Sequence, residues 1–79
     1  MKLKNVKVGQ TVQLKKYDEY KSVSSIYDFV KAGVEGKIVE VNMVGSPTEN
    51  VRVVWNKARY NKVWWCNHKE IKLIKDVEE

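Results

Sequence analysis

Cysteine, proline, histidine and phenylalanine each occur once in this 79-residue chain, and leucine and alanine together supply only five residues. The single cysteine, Cys66, excludes an internal disulfide framework, and with only His68 near it a four-ligand Cys/His zinc site is excluded as well. Such cysteine usage fits a reducing, cytoplasmic compartment. No apolar run exceeds four residues, and the first residues alternate lysine with apolar side chains where a signal peptide needs an unbroken hydrophobic stretch. We therefore expect no membrane segment. The length fits one small domain over 1–79, which buries roughly 60 to 65% of its unfolded surface and leaves no room for a deep catalytic cleft beside its core.

Valine fills the gap: there are 14 valines against three leucines and two alanines, the reverse of helical usage. The chain is expected to be all-β. Charge is unevenly spread around a net +5, because residues 1–16 hold five lysines and 50–69 hold five cations, neither segment containing an acid.

Period-2 alternation places a first strand at Leu3 to Val8, a turn at Gly9-Gln10, and a second run at Thr11 to Leu14, with Val6, Val8, Val12 and Leu14 facing inward. Residues 15–33 form a long polar, tyrosine-bearing loop. Within it Ser24 to Val30 reads as a short helix capped by Ser24 or Ser25 and ended by Gly33. Gly36 to Val44 is the clearest strand, with Ile38 or Val39 and Val41 inward, and Gly45 to Asn50 is a loop. Val51, Val53 and Trp55 share one face of the next strand, opposite Arg52 and Val54. Lys62 to Cys66 is a further strand, Asn67 to Glu70 a 3₁₀ turn, Ile71 to Ile74 the last strand, and 75–79 a frayed tail.

In this order the signals resemble an SH3-like barrel of the KOW/Tudor-like or Mib/HERC-type group. The residues that carry the likeness are Val8-Gly9-x-x-Val12-x-Leu14, Val34 to Val41, Val51-Arg52-Val53-Val54-Trp55, and Trp65-Cys66 leading to Glu70-Ile71-Lys72-Leu73-Ile74. The likeness covers 6–74 and implies a small five-stranded barrel with a long first loop and a 3₁₀ turn before the last strand. Gly9 then permits a tight turn, Gly36 a bend or bulge, and Trp55 fills the centre. The loop between Leu14 and Val34 is longer than KOW segments carry and suits the Mib/HERC type better. Barrels of this pattern are frequent among short bacterial and bacteriophage proteins, which this composition is similar to. No methyl-lysine cage of aromatics is arranged in Tudor-like order.

Two constellations bear on function. Arg52, Trp55, Lys57, Arg59, Tyr60, Lys62, Trp64 and Trp65 interleave cations with aromatics across one hairpin. Cations displace counterions from phosphates while flat rings accept stacked bases, so the mixture points to nucleic acid. Trp55 belongs to the core. Trp65 matches the inward position of the resembled pattern, which leaves Trp64 outward. With Lys2, Lys4 and Lys7 of the basic N-terminal strand, the candidate nucleic-acid surface is Lys2, Lys4, Lys7, Arg52, Lys57, Arg59, Tyr60, Lys62 and Trp64. The second constellation, Tyr17, Tyr20 and Tyr27 with Trp64, would suit a protein partner, since Trp, Tyr and Arg dominate such anchors. Phe29 and Tyr27 can equally cover the open end of the barrel.

Catalytic chemistry finds no support. Cys66 and His68 stand two apart at a strand end without an orienting third group, Cys66 reading as a semi-buried strand residue and His68 as an exposed turn residue. The paired carboxylates Asp18-Glu19 and Glu78-Glu79 lie in flexible segments, and the glycines fit no phosphate-loop fingerprint. The expectation is a non-enzymatic binding module, monomer or weak dimer, with no cofactor, metal or small-molecule substrate. Its partner is DNA or RNA, or alternatively a protein.

Overall fold

A computed structural model describes residues 1–42 and 48–77. The fold is all-β, one antiparallel sheet of five strands: β1 (Thr11–Leu14), β2 (Glu35–Val41), β3 (Val51–Trp55), β4 (Val63–Cys66) and β5 (Ile71–Lys75). Their order is β4-β3-β2-β1-β5, so the last strand returns to pair with the first and the sheet curls into a small barrel-like globule. Short 3₁₀ turns occur at Leu3–Asn5, Ile26–Asp28 and His68–Glu70, the last directly before β5.

Alternation explains the core. Val12 and Leu14, then Val51, Val53 and Trp55, are buried while their neighbours face out. Strand β2 contributes Ile38 and the half-buried Val41, an odd spacing that simple alternation forbids. A bulge resolves it: Ile38 pairs with Val53 and Glu40 with Arg52, leaving Val39 unpaired and turned to solvent. Gly36 lies N-terminal to that bulge and serves close packing. A Cβ there would stand 2.6 Å from Val53 Cγ1 and 2.8 Å from the Val54 carbonyl, so any side chain would push β2 off β3. Trp55 is fully buried at the centre, and its Nε1 has no acceptor among the described residues.

The N-terminal segment departs from expectation. Leu3 to Val8 is no strand: Leu3–Asn5 is a 3₁₀ turn, the ladder starts at Thr11, and Val8 is 57% exposed. Gln10 supplies the reason. Its buried amide accepts the Lys7 N–H (2.8 Å) and donates to the Asn5 carbonyl (3.1 Å) and to Asp76 Oδ1 (3.0 Å). These bonds satisfy the backbone of 5–7 locally, in place of a ladder. Val6 is buried as expected. Gly9 makes the tight turn at φ +98° and donates to the Ile38 carbonyl. The expected strand end at Met43-Val44 and the first half of the Gly45 to Asn50 loop, residues 45–47, lie outside the described residues.

The long loop closes one end of the barrel. Ile26 and Val30 are buried in the core, and Tyr27 and Phe29 pack against it. The helix expected over Ser24 to Val30 is only the 3₁₀ turn Ile26–Asp28. Ser25, at the capping position, makes no side-chain cap bond, whereas Ser24 Oγ accepts from the Ile26 N–H at 3.3 Å.

Ser24 also leads to the main polar anchor. Its hydroxyl donates to the buried carboxylate of Glu70 (2.5 Å), and the Asn67 N–H donates to the same oxygen (2.6 Å). Asn67 Oδ1 accepts from Lys69 N in return, completing a capping box on the 3₁₀ turn. One carboxylate therefore ties the long loop to the β4–β5 corner. Glu70→Ala is expected to cost about 3 kcal/mol, because the buried Asn67 N–H and the half-buried Ser24 hydroxyl lose their acceptor. Glu70→Gln, which keeps one acceptor oxygen, should cost clearly less. Urea unfolding checks this: the midpoint should fall in that order while the slope stays constant.

Candidate nucleic-acid interface

The β3–β4 connection, residues 56–62, is held tightly by its own backbone. Trp55 N–H donates to the Lys62 carbonyl (2.7 Å), Asn61 N–H to Arg59 (2.8 Å), and Arg59 N–H to the Phe29 carbonyl across to the long loop (2.8 Å). Tyr60 occupies the left-handed region at φ 66°, which swings its ring outward. That ring is 83% exposed, and the Arg59 guanidinium lies 5.6 Å from its centroid.

Beside it stands an aromatic stack. Trp64 and Phe29 lie face to face, with centroids 3.8 Å apart and planes within 8°, and Phe29 meets Tyr60 edge-on at 6.2 Å. Trp64 Nε1 donates to the carbonyls of Arg59 (3.1 Å) and Asn61 (2.8 Å). The expected orientation of the tryptophan pair is therefore reversed. Strand register pairs Trp64 with inward Val53 and Trp65 with outward Arg52, so Trp64 is half-buried against the core and Trp65 lies on the outer face. Cys66 sets this phase, since it is fully buried rather than half-buried and its i−2 neighbour Trp64 must share its face. The inward preference of a small apolar cysteine was the signal available for the right choice. With one face covered by Phe29 and its N–H spent, Trp64 is a support for the platform, and Tyr60 is its free ring.

The candidate cations do not form one surface. Lys57 and Arg59 line a small cleft of about 130 Å³ with Phe29, Val34, Ala58 and Lys31, and Lys62 is exposed on the same connection. Lys31 joins this group from the long loop, a separate segment of the chain. Arg52 points to the outer face and is paired with Glu40 at 3.5 Å. Lys7 lies beside Asp76 and Val77, Lys4 is exposed on the first 3₁₀ turn, and Lys2 stands near Lys15 and Lys69. Losing the N-terminal strand dispersed these lysines.

Of the tyrosines, Tyr27 packs inward and donates from its hydroxyl to the Lys15 carbonyl at 2.8 Å, and burial pushes its phenol above the ordinary value. Tyr17 meets Tyr27 edge-on at 5.3 Å, and Tyr20 is 88% exposed. Cys66 is a free, buried thiol whose pKa burial pushes far up, the wrong direction for a nucleophile. His68 is half-buried rather than exposed. Its Nδ1 accepts from Asn50 Nδ2 at 2.9 Å, consistent with burial and the neighbouring Lys69 holding the imidazole below its ordinary pKa. No group of three His, Cys, Asp or Glu able to hold a metal ion occurs among the described residues, and no helix there is long and apolar enough to cross a membrane.

No protein-family model, curated protein or solved structure matches this chain.

The Phe29–Trp64 stack should be measurable as a coupling. In a double-mutant cycle with Phe29→Leu and Trp64→Leu, the interaction energy is expected to be about 1 kcal/mol. A value near zero would mean that the rings are merely adjacent.

Proposed function

We propose that this chain is a non-enzymatic, SH3-like binding module of the cytoplasm that binds single-stranded nucleic acid with little sequence selectivity. The observation that carries the reading is the exposed Tyr60 ring, set by a left-handed backbone on a braced aromatic stack and flanked by Arg59, Lys57, Lys31 and Lys62. A free ring offers an unpaired base its face, while the surrounding cations attract phosphates. The likeness to KOW/Tudor-like barrels agrees with this role. Trp64 acts beneath the surface, by fixing Phe29.

A protein partner is the second reading, favoured by the exposure of Tyr17, Tyr20 and Val23 on the long loop. Such a complex would bury an apolar patch and respond weakly to salt.

Titration of labelled single- and double-stranded DNA and RNA at low and moderate salt tests the first reading. Single strands should bind best, and Tyr60→Ala should weaken them by about 1–3 kcal/mol, the worth of one stacked base. No binding at low salt would overturn it.

A further inference from the structure

Beyond the aromatic platform, lysines from separate segments of the chain come together in space. Lys15, Lys16 and Lys72 line a cleft of about 340 Å³ with Gln13, Ala32 and Gly33. Lys2, Lys15, Lys21 and Lys69 line another of about 360 Å³ with His68. Lys15 borders both, so the two are neighbours. The segment Lys31 to Val34 makes the other junction, because Lys31 and Val34 line the cleft of Lys57 and Arg59 while Ala32 and Gly33 line the next one.

The three clefts thus form one track, running from Arg59 and Lys57 past the 31–34 segment to the corner at Lys69. No carboxylate lines any of them. Glu70 is the nearest acid on the β4–β5 corner, and it turns inward with its oxygens occupied by Ser24 and Asn67. The lysines of the track have no carboxylate partner among the described residues. Burial, with Lys15 adding to it, depresses the pKa of the Met1 ammonium, and burial, with Lys69 adding to it, that of His68. The cleft at the other end of β1, around Gly9, Lys37 and Lys75, differs, since it includes Asp76. The track is also open where it needs to be, for a Cβ placed on Gly33 would meet nothing within 4 Å.

We infer that the sugar-phosphate backbone of a bound single strand follows this track, from the base stacked on Tyr60 across Gly33 to Lys15, Lys16 and Lys72 and on to Lys69. The inference rests on the nucleic-acid reading above and names the path the strand takes. Each ammonium acts as a point charge that releases a condensed counterion, so the contribution appears in the salt dependence of binding.

The test compares two triple variants of equal charge change, using labelled oligothymidylate over a range of salt. Lys15→Gln, Lys16→Gln and Lys72→Gln together remove the middle of the track. Lys4→Gln, Lys7→Gln and Lys37→Gln remove three cations elsewhere. Circular dichroism and thermal melting confirm that both fold. The track variant should lower the slope of log K against log salt by about 2, three single-strand phosphate contacts at about 0.7 each, while the control changes it by less than half as much. Tyr60→Ala should weaken binding with the slope unchanged. Equal slopes in the two triples, with the wild-type chain still binding, would overturn the track and leave the reading of function standing. A wild-type chain that does not bind at all would overturn both.

Discussion

The Glu70 carboxylate is the constraint on which the other parts lean. It is buried, and one of its oxygens accepts from both the Asn67 N–H and the Ser24 hydroxyl. The first bond closes the 3₁₀ turn that delivers the chain into β5, where Ile71 starts the pairing with β1. The second holds the long loop, whose Ile26 and Val30 then plug the barrel. Phe29 follows in the same segment and meets Trp64 on β4. The aromatic platform is thus assembled from two distant stretches of chain, one of them held by this anchor.

A buried carboxylate is a costly way to make a corner, since the ion loses its hydration and recovers it only through well-formed hydrogen bonds. Here the bonds have a positional result that apolar packing lacks. They act on named backbone groups at one register of the loop and one register of the turn. Removing this acid from the surface also leaves the lysines above the corner uncompensated, so the same interaction shapes the fold and the charge of its face.

Much of the fold was legible because it depends on local pattern. Alternation over Val51 to Trp55 found the inward face of β3, and the polar turn with its acid at Glu70 marked the start of the last strand. Where a side chain intervened in the backbone, the pattern misled. Gln10 binds 5–7 locally and abolishes the strand that Val6 and Val8 suggest. The Val39 bulge shifts the phase of β2 by one residue. For the candidate site, Arg59, Lys57 and Tyr60 were visible as a hairpin cluster because they are neighbours in sequence. Lys15, Lys21, Lys31, Lys69 and Lys72 come from separate segments, and only the curl of the sheet and the anchored loop bring them to one side. The tryptophan pair departs from the resembled pattern for a simpler reason, since the burial of Cys66 fixes the phase of β4 and turns Trp64 inward.

The central claim is that one face, running from Tyr60 across Gly33 to the Lys15 and Lys72 side, receives a single-stranded nucleic acid. Amide chemical-shift mapping of the isotope-labelled chain against oligothymidylate at low salt tests it most directly. The account predicts perturbations that cluster at residues 58–62, 31–34, 15–16 and 69–72 and spare Val8, Val39 and Val77. Shifts concentrated around Val8 and Val77, or no shifts at saturating oligonucleotide, would contradict it.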